Sequence, residues 1–302
     1  MLNILKNIFH KNQSTIRIRT QAEIDRLRTN YAAVDTIAEE YARVLKYRVR
    51  LMENTMNEAF VEKIAPIFQR YQREARLATN DADTREMKRL LARYTDLLEA
   101  EIAAVIVAIN ALWEPRQLRA ALYAFTDTVN EASRRYMLSA MLEQVGYIPQ
   151  SYQQTVDNGV DEILDDSEDD ALDYVPVIAR EYQERIETGL LEALIGMATA
   201  AYVMSQLDEW ADMAMRKSDF VAVNVTGELL HELDQQRAKN LDCEMFEWLT
   251  MKDDKVRDHH AVLLGKRFKW TEGAKGAGVD GQAIWPGTEF RCRCKAVPVF
   301  DE

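Results

Sequence analysis

The chain has 302 residues, of which 47% are hydrophobic and 29% charged, and its formal net charge is −12. This length allows one large domain or two of ordinary size, and the charge excludes a protein whose whole surface binds phosphate backbones or anionic membranes. We expect neither a signal peptide nor a membrane span, because no apolar run reaches about 18 residues. Reduced thiols are expected, because one residue separates Cys292 from Cys294 and a disulfide between them would be strained.

Residues 1–20 are predicted to form a basic arm, and residues 21–150 a long helical bundle. From Leu27 to Phe60 the apolar residues recur mostly at intervals of three or four, which is typical of an amphipathic helix. We expect this helix to be kinked or to end before Pro66, because proline breaks the helical hydrogen-bond pattern.

Two further long helices are predicted in the bundle. A polar break at Thr79, Asn80 and Asp81 supplies capping side chains for the second helix, which runs to Leu112. Pro115 is suited to the first position of the third helix, which should continue to Gly146. Three long antiparallel helices predict a bundle.

Residues 151–174 are predicted to be an acidic linker. Residues 157–173 include nine carboxylates and few side chains that could enter a core. This composition favours a solvated hinge or loop. A cation site is the alternative, although the segment lacks the glycine and the ligand order of a calcium loop.

Residues 175–240 are predicted to be helical, and residues 241–302 to be a small α+β unit. Pro176 begins one helical region, and Ser218 or Asp219 should cap a further helix that reaches Asn240. After Leu241 short apolar runs at 245–250, 267–270, 283–285 and 295–300 predict strands separated by glycine-rich turns. The predicted fold is therefore mainly α with a small α+β C-terminal part.

The residues that could carry chemistry are concentrated in this last segment. Cys292, Cys294 and His260, completed by Cys243 or His259, are a suitable ligand set for tetrahedral zinc. The alternative is a pair of buried structural thiols, because paired zinc ligands are usually separated by two residues. Zinc is thus the only cofactor that the sequence suggests.

Two other functions are possible for the same segment. His260, Asp254 and Arg257 could serve as base, acid and cation of a nuclease, or Asp254 could cap a helix that His260 anchors. A local excess of positive charge, interleaved with aromatic residues, could contact DNA or an acidic partner, or it could form a solvated basic rim. The basic residues concerned are Lys266, Arg267, Lys269, Arg291, Arg293 and Lys295.

Several linked motifs between residues 220 and 300 resemble the Mu F-like, or phage head morphogenesis, domain of minor head proteins. They are a turn-like Asn-Val-Thr-Gly at 224–227, Phe-Glu-Trp at 246–248, a helix motif at 253–260, Leu-Leu-Gly-Lys at 263–266 and Pro-Gly-Thr-Glu-Phe-Arg-Cys-Arg-Cys at 286–294. The residues that match the family pattern are Trp248, Asp253, Asp254, Val256, Arg257, His260, Gly265, Pro286, Gly287, Cys292, Arg293 and Cys294. Looser similarity extends back to about residue 175, and Leu264 and Trp285 depart from the pattern.

This resemblance implies a structural protein of a tailed bacteriophage. Such a protein acts in procapsid assembly at the portal vertex inside the capsid, and is made in the host cytoplasm. Its expected partners are the portal protein, the major capsid or scaffold proteins and double-stranded DNA, with no membrane. The alternative is a small nuclease or toxin-like enzyme in the C-terminal unit, although no effector domain is expected after Glu302.

Overall fold

The computed structural model describes residues 20–78, 84–251 and 253–300. It is 73% helical with a small three-stranded sheet, which confirms the predicted fold class. The predicted basic arm, apart from Thr20, and the predicted caps Thr79, Asn80 and Asp81 lie outside the described residues. Along the described chain, no helix contains a stretch that is both long and apolar enough to cross a bilayer.

The first helical region continues past the position where the sequence predicted a kink or an end. Helix α1 covers Gln21–Ala59, a π-helical turn covers Phe60–Ile64, and α2 covers Ala65–Ala78. Pro66 lacks an N–H, and its ring would crowd the carbonyl four residues earlier in a regular helix. The wider π turn directly before it accommodates the proline within one helical run.

Two further long helices follow, as predicted. Helix α3 covers Thr84–Leu112 and α4 covers Pro115–Val145, so Pro115 holds the predicted first position. Gly146 follows α4 with a φ of 87°, a left-handed conformation that suits glycine at a helix end. Buried residues of α3 recur every three or four positions, at Tyr94, Leu98, Ile102, Val105 and Ile109.

The acidic segment is helical, so the prediction of a hinge or loop at residues 151–174 is wrong. Helix α5 covers Gln150–Thr155 and α6 covers Val160–Tyr174. Val160 and Ala171 are buried, whereas most of the carboxylates are exposed. The acidic residues therefore form the solvated face of an amphipathic helix, and none belongs to a metal-binding cluster among the described residues.

The next two helices are α7, Val177–Ile195, and α8, Ala200–Asn240. The predicted helix start at Ser218 or Asp219 is wrong, because α8 continues through both positions. Ser218 is buried, and its hydroxyl donates a hydrogen bond to the Ala214 carbonyl at 3.0 Å. This bond to the preceding turn satisfies the side chain inside a helix, so serine does not need to cap one.

The chain forms two compact units that alternate along the sequence. The first unit comprises Met1–Ile37, Asp127–Leu164 and Val223–Glu302, and the second comprises Ala38–Thr126 and Asp165–Ala222. The predicted domains were consecutive segments with boundaries in loops. In the structure each transition between units falls inside α1, α4, α6 or α8, because these long helices contribute residues to both units.

The second unit is built by packing of helix against helix. Helix α3 packs against both α2 and α7. The Tyr41 ring stacks on Phe125 with a centroid separation of 4.1 Å, and Tyr71 packs against Tyr94 at 5.5 Å. Its core thus consists of apolar and aromatic side chains from several helices.

The first unit contains an antiparallel sheet with the strand order β2-β1-β3. Strand β1 covers Met245–Leu249, β2 covers Arg267–Lys269 and β3 covers Lys295–Val299. The predicted strand at 283–285 is reduced to one bridge between Ala274 and Ile284. Gly273, directly before this bridge, has a φ of 62°, and Gly287, three residues after it, has a φ of 90°.

The sheet packs on helical residues that are distant in sequence. Gln144 of α4 donates a hydrogen bond to the Pro298 carbonyl at 2.8 Å and accepts one from the Phe300 N–H at 3.1 Å. One buried cluster contains Met137, Met141, Val156, Leu241, Phe246, Trp248, Cys292 and Cys294. Residues 241–302 therefore share their core with residues 127–164.

Candidate metal centre

Strand β1 positions the short helix that carries His260. The Trp248 N–H donates to the Lys266 carbonyl, and the Gly265 N–H donates to the Trp248 carbonyl, both at 2.8 Å. Gly265 has a φ of 76°, so the Leu-Leu-Gly-Lys motif makes a left-handed turn that returns the chain to β1. Of the predicted helix at 253–260, only Asp258–Ala261 is helical, and we label it α9.

A loop from Pro286 to Cys294 docks on α8 and brings both cysteines to His260. The predicted turn at 224–227 is wrong, because these residues lie within α8 and hold this loop. The Asn224 side chain accepts a hydrogen bond from the Arg291 N–H at 2.7 Å, where the φ of Arg291 is 56°. A Cβ on Gly227 would lie 2.4 Å from the Gly287 carbonyl oxygen, so both glycines are needed for this close approach.

Three donor atoms converge in the first unit. The Sγ atom of Cys292 lies 3.6 Å from Nδ1 of His260, and the Sγ atom of Cys294 lies 3.7 Å from the same nitrogen. All three atoms are within 4.8 Å of one another, and the residues are 2% to 5% exposed. Trp248 packs edge-on against the His260 ring at a centroid separation of 5.4 Å.

Glu289 contacts the other side of the His260 ring. Its Oε2 atom lies 2.7 Å from Nε2 of His260 and 3.1 Å from Nε2 of His259. Arg257 lies 3.7 Å from the same oxygen. Burial alone would raise the pKa of Glu289, but hydrogen bonds from His259 and His260 lower it overall.

The two thiols and the imidazole perturb one another. A hydrogen bond from the Cys294 thiol lowers the pKa of Cys292 most, and His260 lowers it further, against the effect of burial. The same bond raises the pKa of Cys294. Burial opposes the charged form of His260, but Cys292 and Glu289 outweigh burial and raise the pKa of the imidazole.

The structure brings together three of the four predicted zinc ligands. Cys243 lies apart, because its thiol contacts the carbonyls of Met245 and Val299 at 3.4 Å each. His259 contacts Glu289 and forms a second cluster with it and His260. Glu289 was missed as a site residue in the sequence, because only the fold brings it to His260.

Of the three residues predicted for a nuclease, Arg257 and His260 both lie near Glu289, whereas Asp254 is exposed. Arg257 donates to the Phe290 carbonyl and also lies near Glu289. Asp254 is exposed, whereas the neighbouring Asp253 pairs with Arg293 and accepts a hydrogen bond from the Lys255 N–H at 3.1 Å. His260 contacts thiols and a carboxylate in the protein interior.

The predicted basic residues do not share one environment. Lys295 is 6% exposed and lies 3.4 Å from Asp35, so it is removed from the predicted DNA-binding set. Arg267 lies 3.9 Å from the buried Glu247, and Arg293 pairs with Asp253. The exposed members are Lys266, Lys269 and Arg291.

Comparison with known proteins supports the resemblance given by the motifs. The family model of Phage Mu protein F like proteins matches residues 183–297 of this chain, which confirms the predicted family similarity in the C-terminal region. A protein of Haemophilus influenzae described as uncharacterized is 23% identical over 124 residues, which are 41% of this chain and 26% of that protein. The chain thus matches about a quarter of that relative's length. No solved structure matches.

Proposed function

We propose that this chain is a minor head protein of a tailed bacteriophage that acts in procapsid assembly at the portal vertex. The match of residues 183–297 to the Phage Mu protein F like family carries the proposal. This segment contains the whole of α8, α9, the Gly227–Gly287 contact, and Cys292 and Cys294. Similarity to this family indicates a head morphogenesis protein that is associated with the virion.

A structural rather than enzymatic role is part of the proposal. The donors of the candidate centre are almost completely buried, and the pocket beside them has a volume of about 20 Å³. Such a pocket accommodates about one water molecule, so it cannot admit a nucleotide or a peptide without rearrangement. The geometry therefore gives the nuclease alternative little support.

We propose the portal protein as the main partner, with major capsid or scaffold proteins as further candidates. The long helices of the second unit carry large apolar side chains that are exposed to solvent, and such residues contribute to protein interfaces. They include Leu77, Leu97, Val107 and Tyr123. Any contact with double-stranded DNA would depend on the exposed Lys266, Lys269 and Arg291.

Co-purification of the full chain with its cognate portal oligomer tests this function. We expect a complex of defined stoichiometry in native mass spectrometry, and no cleavage of plasmid DNA by the same sample. A folded chain that does not bind the portal at concentrations well above micromolar would contradict the assembly role. Cleavage of the plasmid, lost in His260→Gln, would instead support the enzyme alternative.

A further inference from the structure

We infer that His260, Cys292 and Cys294 bind one zinc ion, and that Glu289 holds His260 in the orientation that zinc binding needs. This inference goes beyond the proposed function, because it concerns how the first unit is held together. The inference rests on the distances between the three donor atoms and on the contact of Glu289 with the other nitrogen of the imidazole.

The distances between the donors match the edges of a zinc tetrahedron. Zinc bonds of about 2.3 Å to sulfur and about 2.0 Å to nitrogen, at tetrahedral angles, place nitrogen and sulfur about 3.5 Å apart. The separations from His260 Nδ1 are 3.6 Å to Cys292 and 3.7 Å to Cys294. Both nitrogen–sulfur separations are therefore close to those of a bound zinc ion.

The backbone explains how a Cys-x-Cys pair provides both ligands. In an extended chain, residues two apart place their side chains on the same face. Residues 292–294 are non-helical and lead directly into β3. The Arg293 side chain pairs with Asp253, while both sulfur atoms lie close to Nδ1 of His260. The tight spacing that argued against zinc in the sequence is thus compatible with it in the fold.

Glu289 selects the tautomer of His260. At 2.7 Å, its carboxylate accepts a hydrogen bond from the Nε2–H of the imidazole, which leaves the Nδ1 lone pair directed at the thiols. A carboxylate on the second nitrogen is the usual partner of a zinc-bound histidine. In addition, the Gly287 N–H donates to the Cys292 sulfur at 3.4 Å, a contact that stabilises a thiolate ligand.

The donor set favours zinc, and the surroundings favour a structural ion. Two sulfur atoms and an imidazole suit zinc, whereas magnesium and calcium prefer oxygen ligands. The pocket of about 20 Å³ beside the donors has room for one water molecule as the fourth ligand. The ion would join α9 to the loop that docks on Asn224 and Gly227, and would add its binding energy to the stability of the folded first unit.

A thiol nucleophile is the competing explanation, because Cys292, His260 and Glu289 also form a thiol, imidazole and carboxylate chain. Two features favour the metal. Both thiols lie at nearly equal distances from the same imidazole nitrogen, as two ligands of one ion would. A catalytic nucleophile would need only one thiol beside the imidazole. The small pocket also leaves no space for a substrate carbonyl group and its leaving group.

Metal analysis of the full-length chain, expressed with zinc in the medium, tests the inference. Native mass spectrometry and elemental analysis should find about one zinc per chain in the wild type and in Cys243→Ser. Cys243 is a matched control, because it is also a buried cysteine outside any disulfide but lies outside the donor set. Cys292→Ser and Cys294→Ser should lose the ion, and Glu289→Gln should bind it about 10- to 100-fold more weakly.

A second measurement uses only the wild-type chain, in case the cysteine variants fail to fold. Replacement of the ion by cobalt(II) should produce the absorption of a tetrahedral site with thiolate-to-metal charge transfer. Chelation should then expose Cys292 and Cys294 to iodoacetamide. A folded wild-type chain that binds neither zinc nor cobalt at micromolar concentration would overturn the inference. Rapid alkylation of Cys292 in excess zinc would do the same and would support the nucleophile. Neither result bears on portal binding.

Discussion

The two units are stabilised in different ways. In the second unit, the ion pairs lie at the surface: Lys46 and Asp219 are 2.6 Å apart with side chains 32% and 45% exposed. In the first unit, Arg237 is completely buried and donates to Asp157 and to Asn130. Asp234 is buried too and accepts a hydrogen bond from the Ser133 hydroxyl at 2.5 Å. Loss of a polar partner should therefore cost more stability at these buried sites of the first unit than at the surface of the second. In the interior, water cannot replace the lost hydrogen bond.

Removal of the Asp157 carboxylate should have the largest effect. Among the described residues, Asp157→Ala leaves the buried Arg237 guanidinium with Asn130 as its remaining hydrogen-bond partner, and we expect a loss of about 3 kcal/mol in the free energy of unfolding. Asp219→Ala breaks the exposed pair with Lys46 and should lose less than about 1 kcal/mol. Urea titration of both variants provides the measurement. Equal losses would show that the contrast between the units is wrong.

A matched pair of glycine substitutions should give the next largest effect. Both glycines lie in helices, where alanine would otherwise be favoured by about 1 kcal/mol. In Gly227→Ala the new Cβ meets the Gly287 backbone at 2.4 Å, whereas in Gly189→Ala it meets the Trp210 ring at 2.2 Å. A half-buried side chain can rotate away, but a docked backbone cannot, so we expect losses of about 3 and about 1 kcal/mol respectively.

Urea titration also measures these losses, and zinc content gives a second comparison. Gly227→Ala should bind zinc more weakly, because the displaced loop carries Cys292 and Cys294. Gly189→Ala should keep the zinc content of the wild type. A normal zinc content in Gly227→Ala would mean that docking on α8 does not position the cysteines.

The smallest expected effect is a dependence on pH that originates at Asp234. Burial raises the pKa of Asp234 to about 7, although Ser133, Arg237 and Lys295 lower it in part. Between the unfolded value near 4 and this folded value, the folded chain holds a proton that the unfolded chain has released. Stability therefore falls as pH rises through this window. The contribution should be about 1 kcal/mol between pH 5 and pH 6.

Asp234→Asn isolates this contribution from that of other groups with shifted pKa values, such as Glu289. From pH 5 to pH 6 the wild type should lose stability relative to the variant, because only the wild type has the Asp234 carboxyl group. A difference that stays constant over this range would show that Asp234 is ionised in the folded protein.

The helices could be predicted from local patterns, whereas the grouping of the helices could not. The spacing of apolar residues in α3 and the position of Pro115 predicted those helices well, because periodicity and backbone geometry act within a few residues. The loop predicted for the acidic segment was wrong, because two buried residues, Val160 and Ala171, are sufficient to give α6 an inner face. Contacts between distant residues, such as that between Gln144 and Pro298, determine which segments form each compact unit. No local sequence pattern predicts such contacts.

By itself, the sequence determined the mainly helical fold, the family similarity of the C-terminal region, and a candidate centre containing Cys292, Cys294 and His260. Its residue types and short spacings carry that information directly. Only the tertiary structure decided that Cys243 lies outside the centre, that Glu289 belongs to it, and that Asn224 and Gly227 hold its loop from inside a helix. These relations depend on contacts between residues about 30 to 70 positions apart in the sequence, which tertiary packing determines and local sequence does not.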